Sequence, residues 1–196
     1  MKLLLATHNE HKRREFERLL PDHEVETLPD TVDLPPEVGE TFAENALGKA
    51  RAAAAATGEP AIADDSGIES ATLGGAPGVR SARYAGESAT DAQNLQKLLR
   101  EAPAGSALTY VCALAYVDPA SGVERVFEGR CTGRLAAAPR GEGGFGYDPA
   151  FLPDDRPPGD KRPATLTMAQ LSAEQKDAIS HRGRAARALD EWLRRG

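Results

Sequence analysis

Strands interspersed with helices, among them one long hairpin, predict an α/β or α+β fold built on a mixed sheet. Three observations carry that expectation: a short apolar run feeding directly into a helix, capping boxes that open later helices, and two long alternating segments around a turn. Leu3 to Ala6 reads as a buried first strand, and Glu10 to about Leu20 as a helix of good helix formers stopped by Pro21. Pro29, Pro35 and Pro36 make 29–39 an extended connection. Thr41 with Glu44 opens an Ala-rich helix that runs to Thr57 and ends at Gly58. Ala61-Ile62-Ala63 is a second short buried strand, turned at its end by Asp64-Asp65-Ser66-Gly67. Leu73 to Gly86 reads as a loop, and Thr90 with Gln93 starts a helix to about Arg100.

Ala107 to Val117 and Val123 to Arg134 are the two long strands, with Asp118 to Gly122 as the hairpin between them. The stretch 138–161 is dense in Gly and Pro and has no period. Two helices finish the chain, one opened by Ser172 with Gln175 and the other capped by Ser180. In the last, Ala185, Leu189 and Trp192 recur at helical spacing, with Ala188 and Leu193 on the same face.

The 196 residues suit one domain or two closely packed lobes, and the net charge is −6. A negative chain lacks the basic surface that neutralises a nucleic-acid backbone, so nucleic acid is not expected as a partner. A small polyanion is compatible with that charge when a metal ion offsets it. Cys112 and Cys131 lie in strand-like stretches and are expected as two buried thiols. The opening apolar run is too short for a signal peptide, and no stretch approaches the roughly 20 apolar residues that span a bilayer. No membrane association is expected, and the expected address is cytoplasmic.

Three segments carry chemistry. Asp64 and Asp65, placed after a buried strand, put two acids where open α/β sheets bind ligands, and Mg²⁺ is held by one or two carboxylates plus waters and phosphates. An Asx-turn or helix cap is the simpler alternative. Thr7, Asn9 and Lys12 sit at a strand-to-helix junction, where free N–H groups and an ammonium suit a phosphate; alternatively Thr7 or Asn9 merely caps the helix. Gly141 to Gly146 matches G-x-G-x-x-G, but no strand precedes it and Pro149 blocks a helix after it, so the dinucleotide reading fails. What remains is a Gly-rich loop ending in Phe145-Gly146-Tyr147-Asp148, an aromatic beside an acid, fit either to clamp a purine or to pack the loop down. Lys176, His181 and Arg182 add donors suited to a carbonyl or phosphate.

Taken together these segments resemble the inosine triphosphate pyrophosphatase-like (Ham1/RdgB type) family of noncanonical purine nucleoside triphosphate pyrophosphatases. The matching residues are Thr7-x-Asn9-x-x-Lys12, Glu37-x-Gly39-x-Thr41-Phe42-x-Glu44-Asn45-Ala46-x-x-Lys49-Ala50 and Ala63 to Gly67. They continue through Leu73 to Val79, Ser81-Ala82-Arg83-Tyr84, Gly143 to Pro149, Lys176, and Ile179 to Gly183. The resemblance implies an elongated ITPase-like α/β fold: a mixed, twisted central sheet flanked by helices, two lobes with a nucleotide cleft between them, and a homodimer. It implies hydrolysis of ITP, dITP and XTP to the monophosphate and pyrophosphate with Mg²⁺, for which Mn²⁺ can substitute on ligand type.

By the same resemblance Asp65 is the proton acceptor and a metal ligand, and Glu37 a second metal ligand. Thr7, Asn9, Lys12 and Lys49 hold the phosphates, while Ser66, Phe145, Gly146, Tyr147, Asp148, Lys176, His181 and Arg182 complete the sugar and base pocket. His8 stands where many members have Gly, and Arg80 where Tyr is common; Glu40 is close enough in sequence to compete with Glu37 for the metal. Two other functions stay open at this point: a pyrophosphatase for modified pyrimidine nucleotides, and a nucleotide sensor without turnover.

Overall fold

A computed structural model describes residues 1–29, 31–160 and 165–195. Asp30, inside the Pro-rich connection, and Lys161, at the end of the Gly- and Pro-dense stretch, lie outside the described residues. The elements are β1 (Lys2–Leu5), α1 (Glu10–Leu19), β2 (Glu24–Thr27), α2 (Phe42–Thr57), β3 (Ala61–Ser70), α3 (Asp91–Glu101), β4 (Ala107–Asp118), β5 (Val123–Leu135), β6 (Phe151–Pro153), α4 (Ala173–Ile179) and α5 (His181–Leu193). The six strands form one sheet in the order β2-β1-β3-β4-β5-β6. It is mixed: β1 runs parallel to β2 and β3, with Leu5 opposite Thr27 and Ile62, whereas β6 runs antiparallel to β5.

The helix starts obey their capping chemistry. Thr41, Thr90 and Ser172 each accept the N–H three residues on, and Glu44, Gln93 and Gln175 reach back to complete the box. Gly58 ends α2 in the left-handed conformation that glycine adopts without a Cβ penalty.

Several expectations need correction. The acid pair does not turn the chain at a strand end: β3 is ten residues long, and Asp64 to Gly67 lie inside it, on the third strand of six. Asp and Gly are poor strand formers, but the strand continues from Ala61 and Ile62, which pair with β1, and the buried ion pairs of Asp64 override propensity there. β2 was not expected; its only inward residue is the half-buried Val25, so it carries almost no apolar signal. β6 is a three-residue edge strand within the aperiodic stretch, preceded by a 3₁₀ turn at Asp148–Ala150. A 3₁₀ turn at Ala71–Leu73 leads into the Leu73 to Gly86 loop, and another, Gly78–Arg83, lies within it. On α5 the buried core residues are Ala185, Ala186 and Leu189, so Ala186 takes the place expected for Ala188.

The chain divides into two compact units, each with its own core. The first comprises Met1–Asp65, Cys112–Gly129 and Arg182–Gly196; the second comprises Ser66–Val111 and Arg130–His181. In the first, Leu3 and Leu5 of β1, Phe16 of α1, Ile62 of β3, Leu114 of β4 and Leu189 of α5 pack together. In the second, Ile68, Leu98, Leu108, Leu135, Phe151 and Met168 do so. Each such side chain contributes about 1.5–3 kcal/mol when fully buried. Neither cysteine is in a disulfide, and both are buried, one in each core.

Candidate active site

In the first unit, residues from three helices (α1, α2 and α5) and from the loop that carries Glu37 converge on the acid pair of β3. Successive strand residues face opposite sides, so Asp64 and Asp65 meet different partners. Asp64 is 1% exposed. Lys12 of α1 reaches its Oδ1 at 2.9 Å, and Arg182 of α5 donates from Nε to its Oδ2 at 3.1 Å. Arg182 also donates to Glu15 of α1 at 3.0 Å, which spreads the buried charge over a second carboxylate. Lys49 of α2 donates to the Asp64 carbonyl at 2.7 Å and to Glu37 at 2.5 Å.

Burial opposes ionisation of Asp64, yet Lys12, Arg182 and Lys49 outweigh it and hold the carboxyl well below the usual range. Asp64 is therefore a neutralised anchor that fixes two cations. Asp65 is the opposite case. Burial raises its pKa, Glu37 raises it further, and the lowering effects of Lys49, the Asn45 hydrogen bond and Lys12 do not cancel these. The Asn45 amide donates to Asp65 Oδ2 at 2.9 Å.

Among the described residues no group of three or more His, Cys, Asp or Glu side chains forms a metal site by itself. A hard divalent cation that keeps waters and substrate phosphates needs only one or two carboxylates. Asp65 and Glu37 fit that role: both are oxygen donors, the Glu37 carboxylate disfavours the charge on Asp65, and the ammonium of Lys49 is shared among Glu37, Asp65 and Asp64. Glu37 rather than Glu40 is coupled to Asp65; Glu40 is exposed and its backbone N–H is held by Glu44.

At the start of α1 Asn9 caps the helix. Asn9 Oδ1 accepts from the N–H groups of His11 and Lys12, at 2.9 and 3.2 Å, and Thr7 Oγ1 accepts from the Asn9 N–H at 3.2 Å. Thr7, Asn9 and Lys12 thus stand together, with Lys12 turned to Asp64.

The second unit gathers the aromatic loop and Lys176. Asp148 is buried and accepts from three donors: Tyr110 Oη at 3.0 Å, Lys176 Nζ at 2.8 Å and the Phe145 N–H at 3.1 Å. Lys176 Nζ also lies 5.0 Å from the Phe145 ring centroid. A Cβ on Gly144, whose φ is +70°, would collide with the Asp148 carboxylate, so that turn needs glycine. Gly146 donates its N–H to Asp91 at 2.9 Å. Tyr147 is buried and donates to the Ser81 carbonyl at 2.7 Å, so it packs the loop, whereas Phe145 stays half-buried. His181 stacks on Tyr110 with centroids 4.6 Å apart and planes 7° from parallel. Ser66 is half-buried on β3.

Glu15, Asn45 and Tyr110 were not singled out in the sequence as site residues. For Asn45 a signal existed: Asn45 and Lys49 are polar residues four apart on the otherwise Ala-rich buried face of α2. Glu15 and Tyr110 carry none, since an acid in a charged helix and a tyrosine in an alternating strand are ordinary.

The fold is thus a mixed α/β sheet whose first unit sets carboxylates beside fixed lysines and whose second unit holds a lysine over an aromatic ring. The chain belongs to the Ham1 family, whose model matches residues 3–192. It is 47% identical to a dITP/XTP pyrophosphatase of Frankia alni over 99% of this chain and 98% of that one. With another of that name from Geobacillus kaustophilus it shares 47% identity over 96% and 92%. Among solved structures, a HAM1 protein from Coxiella burnetii superposes with a TM-score of 0.84 at 39% identity, covering 100% of both chains. A nucleoside-triphosphatase/dITP/XTP pyrophosphatase from Mycobacterium abscessus gives 0.72 at 42% identity, over 96% of this chain and 98% of that one.

Proposed function

We propose that this protein hydrolyses dITP, ITP and XTP to the monophosphate and pyrophosphate with Mg²⁺, as a cytoplasmic homodimer that clears such nucleotides from the pool. The observation that carries the reading is the Asp65–Glu37–Lys49 cluster on a chain 47% identical to relatives named for that reaction. No described helix is long and apolar enough to cross a membrane.

The chemistry is positioning and charge neutralisation around water attack on the α-phosphorus. Asp65 and Glu37 hold the cation, which when bound neutralises phosphate and leaving-group charge. Asp65 accepts the proton of the attacking water, a role that its raised pKa favours by making the carboxylate more basic. Lys12 has three N–H donors and directs one at Asp64, which leaves others for phosphate oxygens. Lys49 adds a second fixed donor to that end, beside Thr7 and Asn9.

Ser66, Phe145, Gly146, Tyr147, Asp148, Lys176 and His181 of the second unit, and Arg182 of the first, are proposed as the remaining substrate-binding residues. Asp148 is occupied by internal donors, so its part is to hold Lys176, whose ammonium supplies the donors proposed for a 6-oxo group while Phe145 supplies a stacking face. A 6-amino group would leave those donors unpaired, a mismatch worth about 10⁴-fold in kcat/KM. Arg182 acts from its ion pairs with Asp64 and Glu15, as a buried positive charge that supports the phosphate end.

The test is pyrophosphate release across dITP, ITP, XTP, GTP, ATP and dTTP, with Mg²⁺ and with chelator, for wild type and Asp65→Asn. The expected result is Mg²⁺-dependent turnover of the 6-oxo, non-guanine purines, lost in Asp65→Asn. Equal turnover of ATP, preference for a pyrimidine, binding without turnover, or a fully active Asp65→Asn would each overturn the reading.

A further inference from the structure

Asn45 links two segments that arrive at the acid cluster independently. Its side-chain amide donates to Asp65 Oδ2 at 2.9 Å, and its Oδ1 accepts the Gly39 N–H at 2.8 Å. Only one orientation of the amide satisfies both partners, because the flipped form would set oxygen against carboxylate and NH₂ against N–H. The residue is 5% exposed and lies in the second turn of α2, whose start is fixed by the Thr41–Glu44 capping box. Glu44 accepts the next two loop N–H groups, those of Glu40 and Thr41. Three successive backbone donors are thus docked on two adjacent helix side chains, and Glu37 stands two residues before the first of them.

Gly39 is the counterpart of this dock. A Cβ there would lie 2.7 Å from Asn45 Oδ1 and 2.8 Å from Glu44 Cβ, closer than real side chains approach. The loop reaches Asn45 only because that position has no side chain.

We propose that Asn45, keyed by Gly39, is the positioning residue of the metal site: it orients the Asp65 carboxylate and fixes the Glu37 loop beside it, so that both acids are preset for one divalent cation. This rests on Asp65 and Glu37 being the metal ligands. The physical ground is that ligand carboxylates held by outer hydrogen bonds lose less freedom on binding, and removing such partners costs about 10- to 100-fold in metal affinity. A helix-end asparagine that only docked the loop would need its acceptor but not its donor to Asp65.

The test titrates Mn²⁺ by electron paramagnetic resonance into full-length, nucleotide-free protein. Wild type, Asp65→Asn, Asn45→Ala, Gly39→Ala and the Asn45→Ala/Gly39→Ala double variant are compared, with thermal unfolding in chelator as the measure of fold. Asn45→Ala and Gly39→Ala are each expected to weaken Mn²⁺ binding about 10- to 100-fold. The double variant is expected to bind no more weakly than the two losses shared, well short of their product. Gly39→Ala matters most, since it leaves every site side chain in place, and it decides the question if Asn45→Ala fails to fold. Folded variants that bind Mn²⁺ within twofold of wild type, even with lowered melting temperatures, would overturn the proposal. If wild type does not bind Mn²⁺, or Asp65→Asn binds it as well as wild type, the ligand assignment itself falls, and this inference falls with it.

Discussion

Asp64 and Asp65 are neighbours with opposite electrostatic standing, and that contrast has measurable consequences. The folded pKa of Asp64 lies below its ordinary value of 3.8, so its ion pairs stabilise the protein at any pH above that value. The contribution is lost only as the pH falls through the depressed folded value. Asp64→Asn leaves Arg182 and Lys12 facing a neutral group in a buried place, a change that typically costs about 3–5 kcal/mol. Urea unfolding at pH 7 measures that cost, and the gap between wild type and variant is expected to close only in strong acid. Asp65 has the reverse sign: its folded pKa is raised, so ionisation in the metal-free protein removes stability as pH climbs past 3.8. Asp65→Asn is therefore expected to raise the melting temperature of metal-free protein at pH 7 while abolishing turnover, the usual opposition of stability and function. A lowered melting temperature with activity intact would contradict both assignments. At this scale the two acids, Lys12 and Lys49 were legible from spacing and motif. Glu15 was not, because nothing local marks which of several helix acids is turned inward onto a distant arginine.

The elements were legible where local chemistry decides them. Capping boxes announced α2, α3 and α4, and apolar alternation announced β4 and β5. The errors fell where tertiary context decides. Asp64-Asp65-Ser66-Gly67 has the composition of a turn, yet it lies within β3 because the adjoining strands and the cations of α1, α2 and α5 stabilise it there. Short edge strands such as β2 and β6 have too few buried residues to show a period. Hydrogen–deuterium exchange separates the two pictures of β3. The amides inside Asp64–Ile68 that bond to neighbouring strands are expected to be protected to near the global unfolding free energy, as for core strands. Exchange at the rate of an exposed turn would mean that the acids are mounted on a loop, and the preset geometry argued for Asp65 would not hold.

The whole molecule carries its acid cluster and its aromatic–lysine cluster on two units that the chain enters more than once. Asp65 ends a segment of the first and Ser66 begins one of the second; His181 and Arg182 are divided in the same way. The sequence motifs span these junctions, which is why a linear reading found the residues without revealing their allocation. An overall charge of −6 is compatible with a triphosphate because two lysines and a buried arginine are concentrated at the acids, where the proposed divalent cation would add further positive charge. The central claim is that water attacks the α-phosphorus and pyrophosphate leaves. Hydrolysis of dITP in ¹⁸O-enriched water with Mg²⁺, read by mass spectrometry of the products, tests it directly. One labelled oxygen in dIMP and unlabelled pyrophosphate is the predicted result. Label in pyrophosphate, or release of orthophosphate and dIDP, would contradict it.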